Sequence, residues 1–421
     1  MQLVRTQGRG SKQTADLLLR LEQRSTTSLD PVLPTVQKIL TKVRKGGDKA
    51  LQSYAQKFDT LPPNTPLRIT TEETANAWQQ LDPALQQALK TAAANIRNFA
   101  QRQLPKSWQS STKGLTTGQL VQPIDSAGCY VPGGRHPLPS TMLMTVIPAQ
   151  TAGVPRIVVV SPRPALETLA TAHLLGITEF YRIGGAHAIA ALAYGTESIL
   201  RVAKIVGPGN LYVTAAKRAI AFDCAIDMLA GPTEIVITSD NGNPVAIASD
   251  LVAQAEHDPE ALAIFITTDE SLARKVIAEA KRQSRNNLLV AKEALRRNGY
   301  AVVAATTGEA QQITNRLAPE HLTIDSEAGL AWVQNAGSVF IGQHSPQPMG
   351  DYISGPNHTL PTGGMARIRG GLSVNDFIKL ITVQQYTPAA LSALGPQAIR
   401  LAQAEGLTAH AEAIRTRMLK Q

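Results

Sequence analysis

The chain contains few of the residues that mark secreted, membrane or thiolate-metal proteins. Its 421 residues include only two cysteines, Cys129 and Cys224, whose spacing fits neither a disulfide framework nor a metal site. Two buried thiols are therefore favoured over a single disulfide bridge. No apolar run approaches the roughly 20 residues that a membrane helix needs, and the start, MQLVRTQGRG, lacks the apolar stretch of a signal peptide. We expect a cytoplasmic protein that is not embedded in a membrane.

Aromatic residues and blocks of one charge are also scarce. Aromatic side chains make up 4% of the chain, which argues against a binding surface built from stacked rings. The formal charge is +9, but acidic residues interrupt the basic ones and no nucleic-acid-binding motif accompanies them. A composition of 43% hydrophobic and 17% charged residues indicates a globular protein with two or three domains. We expect no nucleic-acid partner.

Strand-like and helix-like segments alternate through most of the chain. Apolar runs such as RIVVVSP (156–162) and LAIFITTD (262–269) are typical of buried strands, and a segment with helical spacing follows each. This alternation predicts an α/β fold with mainly parallel sheets. Two clusters of such units, before and after about residue 233, indicate two α/β domains. The first 60 residues and the tail from about residue 373 have mostly helical patterns.

No G-x-G-x-x-G dinucleotide fingerprint is present in the sequence. Gly184 and Gly185 stand between a predicted strand and a predicted helix, where the helix N-terminus could receive a phosphate. The same pair suits an ordinary tight turn equally well. The spacing of the glycines alone therefore does not identify a nucleotide.

Three separated segments carry side chains that suit a divalent metal of the zinc type, because they combine imidazoles, a carboxylate and an amide without thiols. The residues are Gln254 and His257 on a predicted helix, Asp351 and His358 in a loop rich in Gly and Pro, and Glu405 and His410 near the C-terminus. Gln254 and His257 are three positions apart and would share a helix face. The alternatives are a polar helix face and ordinary turn residues.

An adjacent carboxylate and imidazole, Glu320 and His321, precede a short apolar strand in the segment RLAPEHLTID. We expect them at the mouth of a parallel strand, where α/β folds place ligands. Neighbouring residues of an extended segment point to opposite sides, so one could reach water while the other reaches substrate. Both types serve as general bases when their environment tunes them. The alternative is a capping carboxylate beside a surface histidine.

Taken together, these segments resemble the histidinol dehydrogenase family over nearly the whole chain. The likeness rests on long stretches that occur in family order: GCYVPGGRHPLPST, GGAHAIAALAYGTE, KIVGPGNLYVTAAKR, DMLAGPTEI, DLVAQAEHDP, LAPEHL, GDYISGPNHTLPTGG, GLSVNDF and EGLTAHAEA. The resemblance implies a homodimer with shared active sites that uses NAD and one Zn²⁺ per subunit. It would oxidise L-histidinol to L-histidine through L-histidinal, the last steps of histidine biosynthesis.

The family pattern also implies a role for each matching residue. The zinc ligands would be Gln254, His257, Asp351 and His410. His321 would take the hydroxyl proton, and Glu320 would activate the water that adds to the aldehyde. The substrate contacts would be Thr233, Gln254, His257, His321, Asp351, His358, Glu405 and His410. The cofactor contacts would be Tyr130, His187 and Asn210.

The implied fold has two related, incomplete Rossmann-like domains with parallel sheets and small helical segments at both chain ends. The expected parts are an N-terminal helical segment (1–24), a first α/β domain with the metal and catalytic loops (25–125 and 235–372), a second α/β domain on the cofactor side (126–234) and a C-terminal helical segment that reaches the partner subunit (373–421).

The chain departs from the common family pattern at three positions. His187 replaces a glutamine, Thr233 replaces a serine, and Gln347 replaces an acid. An alternative function from another class is a zinc hydrolase with Glu320 as its general base. Cys129 is a further candidate nucleophile, for oxidation through a thioester, but the interpretation as a small packed residue is favoured.

Overall fold

The computed structural model describes residues 1–8, 10–24, 29–133, 137–285 and 289–418. The chain divides into two compact units. The first comprises residues 1–103 and 125–377, and the second comprises residues 104–124 and 378–421. Among the described residues, none of the helices combines the length and the apolar character needed to cross a membrane.

Strands and α-helices alternate along much of the chain. The strands are β1 (Gln2–Arg5), β2 (Arg68–Ile69), β3 (Trp108–Thr112), β4 (Leu115–Pro123), β5 (Ala127–Tyr130), β6 (Ile157–Val160), β7 (Glu179–Tyr181), β8 (Lys204–Val206), β9 (Ala225–Ile226), β10 (Glu234–Thr238), β11 (Leu262–Thr267), β12 (Gly299–Val303), β13 (His321–Ile324), β14 (Ser338–Ile341) and β15 (Ile378–Tyr386). The α-helices are α1 (Ser11–Glu22), α2 (Leu33–Phe58), α3 (Thr71–Gln80), α4 (Pro83–Gln103), α5 (Pro139–Ala152), α6 (Leu166–Leu174), α7 (Gly185–Tyr194), α8 (Leu211–Ile220), α9 (Pro244–Ala255), α10 (Glu270–Gln283), α11 (Leu289–Asn298), α12 (Thr307–Leu317), α13 (Pro348–Tyr352), α14 (Pro388–Ala404) and α15 (Thr408–Met418).

The first unit contains two sheets of six strands with related topology. One has the order β1-β12-β11-β10-β13-β14 and is parallel throughout. The other has the order β2-β7-β6-β5-β8-β9 and is parallel except for β2. Apart from its edge strand β1, the first sheet consists of β10–β14; apart from its edge strand β2, the second consists of β5–β9. When each set of five is numbered 1 to 5 along the chain, both have the spatial order 3-2-1-4-5. This is an incomplete form of the doubly wound order, so the expected pair of Rossmann-like domains is confirmed.

The predicted alternation of strands and helices is also confirmed, because its signals are strong and local. The runs in β6 and β11 are almost wholly buried, as expected of parallel strands that are covered on both faces. Asp82 caps the start of α4 by accepting a hydrogen bond from the amide of Leu85. Strand β1 was missed because it has only four residues and adds to a sheet edge far away in sequence.

The packing of residues 29–67 differs from the predicted domain grouping. These residues were grouped with 235–372, but their apolar side chains share a buried core with the second sheet. Helix α2 contributes Val36, Leu40 and Leu51 to this core, and β2 pairs with β7. The sequence pattern predicted helices in this region but not the sheet on which α2 packs. The division into domains beyond these contacts stays a proposal.

The second unit combines a three-stranded antiparallel sheet, β15-β4-β3, with α14 and α15. The tail was predicted as mostly helical, and the nine-residue strand β15 was missed. Only small residues are buried among the described residues of this unit: Gly118, Ala390, Gly395, Ala402 and Ala411. Large apolar side chains such as Trp108, Leu380 and Leu401 are exposed. The unit therefore has very little hydrophobic core of its own.

Both cysteines are buried free thiols, as predicted. Burial raises the pKa of Cys129 to about 12. A thiol with so high a pKa is almost entirely protonated at neutral pH and is a poor nucleophile. This protonation state agrees with the interpretation of Cys129 as a packed residue rather than a catalytic one.

Candidate active site

The predicted catalytic pair lies at the amino edge of the first sheet. His321 is the first residue of β13, and Glu320 precedes it. Helix α12 ends at Leu317, and the next residue, Ala318, adopts a left-handed conformation (φ 46°) that is uncommon for a residue with a side chain. The pair lies at the mouth of a parallel strand, as expected. This mouth is the amino end of the strand, whereas doubly wound sheets usually bind ligands at the carboxyl edge, so the general rule used to support the prediction does not apply here.

Glu320 is a buried carboxylate with a fixed orientation. Its Oε2 atom accepts hydrogen bonds from the hydroxyl of Thr233 at 2.5 Å and from the backbone amide of Glu234 at 2.8 Å. No hydrogen bond from the part of the chain that the structure describes reaches Oε1. One carboxylate oxygen is thus held in place while the other is left for a small molecule.

His321 is buried between two carboxylates. Its Nδ1 donates to the carbonyl oxygen of Glu234 at 3.1 Å, which leaves Nε2 facing Oδ1 of Asp351 at 3.7 Å. Nδ1 also lies 3.6 Å from Oε2 of Glu320. The two side chains therefore lie next to each other, whereas the prediction had them pointing to opposite sides of the strand. Burial alone would lower the pKa of His321, but the charge of Glu320 and the contacts with both carboxylates raise it to about 10.

Gln254 joins this group from the last turn of α9. Its side chain is buried, and its Nε2 donates to the hydroxyl of Thr233, which in turn donates to Glu320. Its Oε1 is buried and has no hydrogen-bond partner. A buried carbonyl oxygen without a partner is costly, so this atom is suited to receive a ligand. Thr233 keeps the hydroxyl that a serine would supply and uses it in both of these contacts.

His257 does not share a helix face with Gln254. Helix α9 ends at Ala255, and His257 lies in the bend that follows, where it is exposed while Gln254 is buried. The helical pattern was extended too far because Glu256 and His257 fit a helix, whereas Asp258 and Pro259 terminate it earlier.

Asp351 and His358 come together from the Gly- and Pro-rich loop. His358 Nδ1 donates to the backbone carbonyl of Asp351 at 2.8 Å, and Nε2 lies 3.4 Å from the hydroxyl of Thr141. Burial lowers the pKa of His358. Burial alone would raise the pKa of Asp351, but the contact with His321 and the charges of both histidines hold it below its usual value. Gln347, which stands where many family members have an acid, donates to Asp351 Oδ2 at 2.9 Å. An acid could not donate this hydrogen bond while ionised.

A cavity of about 390 Å³ opens beside these residues. Its walls include His321, Asp351 and His358, together with Phe340 and Met349. The volume suits a small molecule. Met349 is 50% exposed on α13, and Tyr352 on the same helix is 58% exposed. An apolar and an aromatic side chain are therefore exposed on α13, the helix that also carries Asp351.

The predicted cofactor residues Tyr130 and Asn210 lie at the carboxyl edge of the second sheet. Tyr130 ends β5, and its hydroxyl accepts a hydrogen bond from the amide of Gly185 at 3.1 Å. Asn210 follows β8 and caps α8 by accepting from the amides of Tyr212 and Val213. Strands β5 and β8 are the neighbours at which the strand order reverses, the position where such sheets bind ligands.

His187, the third predicted cofactor residue, is only 2% exposed. Its Nε2 lies 2.7 Å from Oδ2 of Asp59, and the same oxygen accepts the amide of Gly184 at 2.9 Å. The ring is also stacked on Tyr54, with centroids 5.9 Å apart. The histidine thus anchors the Gly184–Gly185 turn to the end of α2, an interaction that short motifs do not reveal.

Glu405 and His410 belong to the second unit. Glu405 follows α14, His410 lies on α15, and both are exposed. Within the described ranges, no three His, Cys, Asp or Glu residues cluster closely enough to hold a metal. Of the four predicted metal ligands, only His257 and Asp351 are residues of these types in the first unit. Gln254 is an amide, and His410 belongs to the second unit.

A largely buried ion pair, which was not predicted from the sequence, supports the site. Arg24 binds both carboxylate oxygens of Glu234 at 2.6 Å and the carbonyl oxygen of Leu317 at 2.8 Å. Gly363 also donates its amide to Glu234. Because Glu234 contacts both Glu320 and His321 through its backbone, this network fixes the predicted catalytic pair. The sequence did contain a signal for this ion pair, because Glu234 in GPTEIVIT is an acidic residue at the start of a buried strand.

Comparisons with known proteins point to one family. The model of the histidinol dehydrogenase family matches residues 22–418. Over 413 residues the chain is 46% identical to a histidinol dehydrogenase from Methanothermobacter thermautotrophicus, covering 94% of this chain and 96% of the relative. A relative of the same name from Listeria innocua is 44% identical over 410 residues, covering 95% and 96%. The crystal structure of histidinol dehydrogenase from Elizabethkingia anophelis superposes with a TM-score of 0.93 at 35% identity, covering 99% of this chain and 98% of that one.

Proposed function

Because this chain belongs to the histidinol dehydrogenase family, we propose that it oxidises L-histidinol to L-histidine through L-histidinal, with NAD as acceptor and one Zn²⁺ per subunit. The observation that carries the proposal is the hydrogen-bonded series Gln254–Thr233–Glu320, which lies against His321 and Asp351 beside a cavity. It joins a candidate metal ligand, a hydroxyl and two candidate bases. We assign the reaction to the cytoplasm.

The residues in the site fit a zinc ion. Gln254 offers a buried carbonyl oxygen that has no other partner, and Asp351 offers a carboxylate held by Gln347. With His257 and His410 they form an oxygen and nitrogen donor set that zinc accepts. When bound, the metal would orient the amino alcohol and stabilise charge on its oxygen. Thr233, His358 and Glu405 would complete the substrate contacts, and the carboxylate of Glu405 suits a cationic substrate.

His321 and Glu320 would divide the proton transfers. His321 lines the cavity and its Nδ1 is bound to Glu234, so Nε2 would take the hydroxyl proton as hydride leaves the carbon. A cation held by Asp351 would compete for that carboxylate and so lower the pKa of His321 toward the range of a base. Glu320 keeps Oε1 available to take a proton from the water that adds to the aldehyde. Two successive oxidations of one carbon thus use two proton acceptors.

We place NAD at the carboxyl edge of the second sheet. Tyr130 and Asn210 lie where the strand order of that sheet reverses, which supports direct contacts. The buried contact of His187 with Asp59 supports a contribution through the Gly184–Gly185 turn.

A homodimer with shared sites explains the exposed apolar surfaces. The second unit buries only Gly and Ala among its described residues and exposes many large apolar side chains. Such a unit requires a partner surface to remain folded. We propose that it packs on the partner subunit and brings Glu405 and His410 to the partner's cavity. Met349, which lines the cavity, and Tyr352 on the same helix would then be covered.

The proposed function is tested by incubating the protein with Zn²⁺, NAD and L-histidinol while the absorbance of reduced nicotinamide is followed. We expect NADH to form only when all components are present. A zinc hydrolase with Glu320 as base would form none, and that outcome would replace the proposal with the hydrolase.

Removal of the metal is expected to abolish activity and leave the fold largely intact. The cores of both sheets are closed by apolar side chains without any metal, so the far-ultraviolet circular dichroism should change little on chelation. Readdition of Zn²⁺ should restore turnover. Undiminished turnover by metal-free protein would remove zinc from the mechanism, and global unfolding on chelation would indicate a structural site instead.

A further inference from the structure

A buried ion pair lies behind the cofactor edge of the second sheet and has no part in the mechanism so far. Lys217 on α8 and Asp227 after β9 are both buried, and the Lys217 ammonium is hydrogen-bonded directly to the Asp227 carboxylate. Both residues also hold Gly207, the residue that follows β8. Lys217 Nζ donates to the carbonyl oxygen of Gly207 at 2.9 Å, and Asp227 Oδ2 accepts the amide of Gly207 at 2.7 Å.

Gly207 occupies a position that requires such support. Its backbone has φ 111°, which side-chain-bearing residues rarely adopt, and an added Cβ would lie 2.2 Å from the carbonyl oxygen of Tyr130. Gly207 also begins the short turn that leads to Asn210. It is therefore the link between the two residues proposed to contact NAD directly.

Stability alone does not account for this ion pair. Replacing a buried pair with neutral residues of similar volume is often neutral or even stabilising, because desolvation of two charges offsets their attraction. The pair instead fixes a backbone geometry, since the ammonium binds the carbonyl oxygen of Gly207 and the carboxylate binds its amide. Charge-assisted hydrogen bonds are the stronger kind and hold such a geometry well.

We propose that Lys217 and Asp227 are positioning residues that set the Gly207–Asn210 turn for cofactor binding. The proposal rests on the proposed use of NAD and adds two residues that act on it indirectly. It assigns them an effect on the affinity for NAD and none on the affinity for L-histidinol. The turn follows strand β8 of the second sheet, whereas the cavity lined by His321 and Asp351 lies beside strands β13 and β14 of the first sheet.

The test compares two neutral double variants with the wild type. In Lys217→Met/Asp227→Asn the donor to Gly207 is lost, and the dissociation constant and KM for NAD should rise about tenfold, the loss expected for one hydrogen bond to a charged group. The KM for L-histidinol should stay unchanged. In Lys217→Gln/Asp227→Asn a neutral donor remains at position 217, so the NAD affinity should lie between the other two. Because KM does not depend on the concentration of active enzyme, a lower yield of folded protein does not mimic the effect.

A matched control removes another ion pair of the same sheet. Arg156 binds both oxygens of Glu179 at 2.8 Å at the amino edge, away from the turn. Arg156→Met/Glu179→Gln should leave the KM for NAD at the wild-type value. An NAD affinity within about twofold of wild type in the folded Lys217 variants, or an equal rise in the control, would overturn the proposal.

The affinity for NAD is also measured by calorimetry without substrate, which separates this proposal from the proposed function. Wild-type protein that binds NAD but does not oxidise L-histidinol would refute the function and still allow the turn to be tested. Wild-type protein that does not bind NAD at all would refute both.

Discussion

Glu320→Gln is expected to slow the oxidation of L-histidinal by about 10²–10⁴-fold, the usual contribution of a general base. The amide keeps the shape of the carboxylate and can still accept hydrogen bonds from Thr233 and Glu234, so the site should stay assembled. It cannot take a proton from water. Because only the aldehyde step needs added water, oxidation of L-histidinol to the aldehyde should be affected much less.

Rates measured separately with L-histidinol and L-histidinal decide this prediction. His321→Asn removes the other proposed base and should slow the alcohol step as well. Glu179→Gln, a change of the same kind at the amino edge of the second sheet, serves as the control and should leave both rates intact. Equal losses on both substrates in Glu320→Gln would refute the division of roles between Glu320 and His321.

A mixed dimer of two inactive chains should regain about half of the wild-type activity per dimer. One chain carries Asp351→Asn and the other His410→Asn, and each is expected to be inactive alone through loss of a proposed metal ligand. If the tail crosses to the partner, one site of the mixed dimer contains both lesions and the other contains neither. Co-expression with two different affinity tags and sequential purification isolates this dimer.

The reciprocal dimer controls for the arrangement. Placing both substitutions in one chain and pairing it with a wild-type chain gives each shared site one lesion, so this dimer should be inactive. If each tail instead serves its own subunit, the results reverse: the first dimer is inactive and the second keeps half of the activity. Native mass spectrometry establishes the composition of both dimers, so inactivity of the first cannot be attributed to failed assembly.

Local patterns predicted the fold class because the determining signals are short. The apolar runs of β6 and β11 and the helical spacing between them are visible within a dozen residues or so. The strand order depends on pairings between distant segments, such as Ala127 with Lys204 and Ile235 with His321. The packing partner of α2 depends on contacts that are more distant still, such as that of His187 with Asp59. For the same reason β1 and β15 were missed, since each is defined by its distant partner.

The candidate site was predicted residue by residue only where the family resemblance supplied the roles. Spacing alone left Gln254 and His257 as a possible polar helix face, and the structure separates them into a buried and an exposed residue. The residues that hold the site, Arg24, Glu234 and Gln347, lie outside the recognisable motifs or at their margins. Their effect depends on burial and direction, which a linear pattern does not encode.

The proposed four-electron oxidation can be measured through the yield of reduced cofactor from a limiting amount of L-histidinol. Each hydride transfer carries two electrons to one NAD. Two successive transfers give two molecules of NADH and one of L-histidine for every L-histidinol consumed, and we expect no L-histidinal to be left at the end. One molecule of NADH with accumulated aldehyde, or no NADH at all, would contradict the proposed reaction.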